Sequence, residues 1–248
     1  ALKHVFDSLE ICDQEGALLA CDKAAKDTPR YLLDSLRIKA ESLVALGRIE
    51  EATALYESIA RTKAVPWARM GYAMMLQRQK KFDHAKDEAQ RLNQEHPEFI
   101  SVYDMLSKMH EESGDFSEAV AYLERASAIT SSSNTERLRK IADLAESAGD
   151  HGKAISTLQR VVERTRHSSL LKVDDYLALT RSLLAEKLVD EAAKVANEMR
   201  EDTKNTRSGE LASEVAASMV YRHQGELGKA KTSLSKALDL LDEDSSLA

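Results

Sequence analysis

The chain has 248 residues with 35 Lys and Arg against 42 Asp and Glu, a formal net charge of −7. That balance argues against a nucleic-acid surface, whose mark is a basic patch or stripe. Two cysteines cannot build a disulfide framework, no apolar run approaches the roughly 18 residues of a spanning helix, and no signal-peptide pattern opens the chain, so a cytoplasmic protein off the membrane is expected.

Three prolines, nine glycines, few aromatics and abundant Ala, Leu, Glu, Lys and Arg favour helix nearly throughout. In chain order, residues 1–30 read as a degenerate leading helix pair. Leu2 to Cys12 forms one helix, Asp13-Gln14-Glu15-Gly16 a turn and Ala17 to Lys26 the second, and Pro29 ends the pair. Cys12 and Cys21 are expected as small buried residues there. Because the chain opens at Ala1 without Met, a processed product or an excised fragment is expected.

From residue 31 to 244 one frame recurs: a turn residue, then Ala five positions later. It reads Gly47-Arg48-Ile49-Glu50-Glu51-Ala52, Lys80 to Ala85, Gly114-Asp115-Phe116-Ser117-Glu118-Ala119, Gly149 to Ala154, Lys187 to Ala192 and Gly225 to Ala230. The closing alanines stand 33, 34, 35, 38 and 38 residues apart. This period predicts an all-α solenoid of about six to seven antiparallel helix pairs. In the central copy Gly114 takes a left-handed conformation, Asp115 caps the next helix and Glu118 completes a capping box. Twelve residues before each closing alanine stands a small residue (Ala40, Ala73, Ser107, Ala142, Thr180, Ser218), which lets the helices of a pair approach closely.

Leu36, Ala40, Leu43, Tyr56 and Ile59 are expected inward in the first of these repeats. Pro66 suits the first turn of the next, which closes at Pro97. The copy from Phe99 to Thr130 is the most regular, and Ser131-Ser132-Ser133-Asn134 reads as a loop with a helix cap. Leu138, Ile141, Ala142, Leu158 and Val161 form the inward set of the following copy. Two surpluses over the period, at His167 to Lys172 and at Thr203 to Gly209, are expected in loops. The last helix runs from near Leu227 to Leu241 into a polar end that caps the stack, with a polar tail at 245–248.

The spacing of Tyr103, Leu106, Ser107, Gly114, Phe116, Ala119 and Ala126, with a terminator of the Pro97 type, resembles the tetratricopeptide repeat. The resemblance implies a right-handed superhelix and a non-enzymatic scaffold that holds a protein or peptide in a concave groove lined by the first helix of each pair. A narrower likeness lies in Arg37-Ile38-Lys39-Ala40-Glu41, in Val65 to Gly71, and in Arg166-His167-Ser168 followed by Asp174-Asp175-Tyr176-Leu177. These blocks are similar to the C-terminal output region of bacterial response regulators of two-component systems. That likeness implies a receiver domain upstream of Ala1 and a role in signal transduction.

In this repeat family, positions 18, 15 and 11 before each closing alanine face the groove. They are Asp34, Arg37 and Glu41; Trp67, Met70 and Met74; Ser101, Asp104 and Lys108; Glu136, Arg139 and Asp143; and Arg181 further on. Trp67, Met70 and Met74 make either an adaptable apolar patch for a hydrophobic peptide or, in the case of Trp67, core against the previous pair. The charged positions either read a polar partner or form a solvated face with intrahelical pairs such as Asp104 with Lys108. The chaperone-tail carboxylate clamp is not reproduced, since Glu41, Met74 and Lys108 stand where it needs Asn. Seven scattered histidines show no metal-ligand spacing, the glycines occur singly and form no phosphate loop, and no cofactor is expected. Self-association through an apolar terminal pair around Leu2, Val5, Phe6 and Leu9 is the alternative, giving an assembly module that works as a homodimer.

Overall fold

A computed structural model of the chain describes residues 13–27, 32–63, 65–130 and 134–245. Among the described residues there are thirteen helices and no strand. In order they are α1 (Gln14–Asp27), α2 (Leu32–Ala45), α3 (Ile49–Lys63), α4 (Pro66–Arg78), α5 (Phe82–Glu95), α6 (Ile100–Glu112), α7 (Phe116–Ile129), α8 (Thr135–Ser147), α9 (His151–Thr165), α10 (Val173–Ala185), α11 (Val189–Thr203), α12 (Arg207–His223) and α13 (Leu227–Ser245). The chain divides into two compact units, 1–109 and 110–248. The expected helix from Leu2 to Cys12, Pro29, the serines at 131–133 and the tail at 246–248 lie outside the described residues.

Each hinge is built the same way. Gly47, Lys80, Gly114, Gly149, Lys187 and Gly225 all hold φ between 60° and 80°. At the first hinge Gly47 N–H donates to Val44 C=O at 3.1 Å and Arg48 N–H to Leu43 C=O at 2.9 Å, and the other five repeat this pair of bonds. The pattern ties off the carbonyls that a helix end leaves unpaired. Lysine at two of the six hinges therefore occupies a backbone region that disfavours a Cβ.

Behind the hinges the closing alanines from Ala52 to Ala192 are fully buried, and so are Ala40, Ala73, Ser107, Ala142 and Thr180. In the first unit, α1 to α5 each pack on their sequence neighbour, around Leu43, Tyr56, Ile59 and Met75. In the second, α7 to α13 do likewise and the first helices α10 and α12 also touch. Two apolar clusters fill that unit, one around Leu123, Leu138 and Ile141 and one around Tyr176, Leu179, Leu183 and Met199. Cys21 is buried against Ala24, and burial pushes its thiol up to about 11.

Several local expectations are corrected. The helix α1 begins at Gln14 rather than Ala17, because the Asp13 carboxylate accepts from Gly16 N–H at 2.9 Å and turns the segment read as a loop into a first helical turn. Asp115 makes no side-chain cap bond; its carboxylate is held by His110 Nδ1 at 2.9 Å. Asn134 and Asp150, free of such a competitor, do cap α8 and α9. The first surplus forms the turn between α9 and α10. The second is largely helical, since α11 runs to Thr203 and α12, at 17 residues, is longer than the first helices before it. Finally, α13 stays helical to Ser245, through the residues expected to end it.

Candidate protein-binding surfaces

Two patches, one in each unit, contain most of the site residues expected on the first helices, and Asp104 and Lys108 of α6 lie outside both. In the first unit, Arg37 and Glu41 pair at 2.9 Å on α2, and the Arg37 guanidinium lies 5.9 Å from the centroid of the Trp67 ring. Trp67, at the start of α4, turns its edge to Tyr56 with centroids 6.3 Å apart at 72°. The indole is half-buried and packs on the core, while Arg37 covers it from the solvent side, so it is both core and surface. One face of α4 continues through half-buried Met70 to Met74, which is 42% exposed. Burial raises the Tyr56 phenol above its ordinary pKa, with Glu41 adding to the rise against Arg37 and Arg78. Gly71 makes this packing possible: a Cβ there would stand 2.3 Å from the Tyr56 ring.

In the second unit, α8 and α10 enclose a cavity of about 530 Å³ lined by Arg139, Lys140, Asp143, Lys172, Asp174 and Arg181 among others. Arg139 is not open to a partner. Its Nε donates to both Asp175 carboxylate oxygens at 2.8 and 3.1 Å and its Nη2 to Asp175 at 2.7 Å. The remaining donors reach Glu136 at 2.7 Å and Leu170 C=O at 2.7 Å. With 11% and 5% of the two side chains exposed, Arg139 and Asp175 are a buried strut that also pins the turn before α10. Asp143 and Arg181 are exposed at the cavity. Desolvation raises the Asp143 pKa; Lys140 and Arg181 oppose the rise, and Asp175 and Glu111 add to it. Asp104 and Lys108 lie exposed on α6.

A family model described as tetratricopeptide repeat matches residues 100–132. The structure is similar to the C-terminal part of a TPR repeat-containing protein from Cytophaga hutchinsonii, with a TM-score of 0.70 at 14% identity over 97% of this chain and 95% of that one. A tetratricopeptide repeat protein from Parabacteroides merdae gives a TM-score of 0.57 at 13% identity, covering 96% of this chain and 91% of that one. YrrB, described as a TPR protein with an unusual peptide-binding site, gives 0.56 at 17% identity over 74% of this chain and 90% of that one. The fold is that of a tetratricopeptide-repeat solenoid. At these identities the likeness concerns the fold. No curated protein matches the chain.

Within that tetratricopeptide fold, the blocks singled out for their likeness to response regulators have packing roles. Lys39 pairs with Asp22 at 2.6 Å, and Pro66 opens α4. Arg166 binds Asp202 at 2.8 Å and also Glu198, while the Tyr176 hydroxyl donates to Asp202. Burial and that bond push the Tyr176 phenol up to about 12, against the opposing pull of Arg166. Asp174, Asp175, Lys140 and Lys172 are site residues that groove spacing did not select. Asp175 was findable only as an acid one period beyond Arg139, beside the surplus at 167–172. Among the described residues no three His, Cys, Asp or Glu cluster in a way that could hold a metal, and no helix is long and apolar enough to cross a membrane.

Proposed function

We propose that the chain is a protein-interaction scaffold that takes a peptide or partner helix on the first-helix face of its N-terminal unit. Tetratricopeptide-repeat proteins generally mediate protein–protein interactions. The observation that carries the assignment is the α4 face, where Met74 is 42% exposed beside a half-buried Trp67 whose ring is flanked by the Arg37 cation. A flexible thioether and an indole at helical spacing suit an apolar anchor from a partner, and the Arg37 and Glu41 pair supplies a polar rim. Asp143 and Arg181, exposed at the cavity of the second unit, would read polar groups of a partner there.

The chain holds a single Trp, so its fluorescence reports on this face alone. The test compares capture by the native chain and by the Trp67→Ala, Met74→Glu variant, followed by titration of any captured protein against Trp67 emission in the native chain. Specific loss with the variant, and a saturable emission change with the native chain, are expected. Equal recovery by both forms would overturn the assignment of the face.

A finer reading is that the scaffold is the cytoplasmic output region of a bacterial two-component regulator, supported by the short blocks at 37–41, 65–71, 166–168 and 174–177. Its test is the gene: a receiver-coding segment in frame upstream supports it, and a reading frame without one removes it.

A further inference from the structure

The sixth helix pair breaks a rule that the other five keep. Seven residues after the first residue of each second helix stand Tyr56, Ala89, Leu123, Leu158 and Ala196, all 7% exposed or less. The equivalent residue of α13 is Leu234, which is 49% exposed. Leu227, Leu238 and Leu241 on the same helix are 68%, 54% and 51% exposed. Steps of seven, four and three put all four leucines on one stripe, while Ser233 and Ala237, on another side of the helix, are buried. Exposed apolar patches of a few hundred Å² mark interaction surfaces. Leu234, at the centre of the stripe, lies where each earlier pair buries its equivalent residue, so the natural occupant is a helix.

We infer that the occupant is α13 of a second copy of this chain, running antiparallel. The charge along α13 is divided: Lys229, Lys231 and Lys236 lie in its first half, Asp239 and the run Asp242-Glu243-Asp244 in its second. A parallel copy sets like charge on like and aligns the helix dipoles unfavourably, whereas an antiparallel copy reverses both. Leu234 and Leu238 straddle position 236, near the middle of the helix. A twofold axis there seats Leu234 on Leu238 of the second copy, and Leu238 on its Leu234. The same axis sets the basic first half of one copy, Lys231 included, against the acidic second half of the other. This contact is independent of the α4 face and does not use it.

The test is sedimentation velocity of the full chain from low micromolar to several hundred micromolar. A reversible rise toward twice the monomer mass is expected. Leu234→Glu with Leu238→Glu should hold the chain at monomer mass, with far-UV circular dichroism unchanged and, at concentrations where the native chain is monomeric, melting unchanged because both positions are exposed. Lys231→Glu should weaken the dimer severalfold, since it sets like charge against the acidic second half of the other copy. A native chain of monomer mass throughout would give the stripe to some other helix and overturn the proposal. A dimer that survives the double glutamate variant would also overturn it, and a dimer unweakened by Lys231→Glu would overturn the antiparallel register.

Discussion

Arg139 shows how far one side chain's role can depend on a residue distant in sequence. Its spacing from Ala154 placed it with the groove residues, and nothing within its own repeat contradicted that. The partner that withdraws it from the surface, Asp175, lies in the next pair and meets it only once α8 and α10 are packed. Removing one member of a buried ion pair strands the other charge, so Asp175→Ala is expected to cost about 3 kcal/mol. Urea denaturation would read this as a lower midpoint at unchanged slope. A midpoint unchanged by the substitution would show that Glu136 and the Leu170 carbonyl suffice to hold the guanidinium. Trp67 shows the same limit in milder form: the sequence left it between surface and core, and its ring serves both, between Arg37 and Tyr56.

The hinges and helix pairs were largely legible in advance because their rules are local. The turn residue, the closing alanine and the small residue twelve positions before it all act within a single pair. The same locality explains two failures. Asp115 follows the pattern of an N-cap, but His110, five residues earlier, takes its carboxylate. The surplus at 203–209 looked like a loop, yet Thr203 closes α11 and residues 207–209 open α12, with Gly209 buried against Thr203. Lys80 and Lys187 point to a further consequence at this scale. Each sits where four sister hinges have glycine, and a left-handed residue with a Cβ costs about 1–2 kcal/mol. Glycine also loosens the unfolded chain, so Lys187→Gly is expected to stabilise by a net 0.5–1 kcal/mol, roughly. A lower urea midpoint in this variant would show that the lysine side chain holds the hinge in place.

For the whole molecule, fold class and repeat number follow from period alone, since every pair needs only its neighbours to bury its apolar face. The binding surface does not follow in the same way. A groove position is defined by family spacing, but its availability depends on what the adjoining pairs put against it. Of the selected positions, Arg37, Glu41, Met74, Asp104, Lys108, Asp143 and Arg181 remain exposed, Trp67 and Met70 are half-buried, and Arg139 is consumed. The leucine stripe on α13 was missed for a related reason. Its composition resembles that of any other second helix, and only the absence of a covering neighbour among the described residues makes it a surface.

Repetition carries a hazard in folding, because near-equivalent helices can dock one period out of register and still bury apolar surface. The Arg139 and Asp175 strut discriminates against that error. The positions equivalent to Asp175 in the other pairs are Ser35, Ala68, Val102, Arg137 and Ser213, none of them acidic. A slipped docking would therefore enclose a guanidinium with only the largely exposed Glu136 of its own helix as counter-charge, which is unfavourable. Replacing the strut by Arg139→Met with Asp175→Leu should leave the native stack close to its original stability while lowering the fraction that refolds correctly from urea. Equal refolding yields for this variant and the native chain would remove the proofreading role and leave the strut as packing alone.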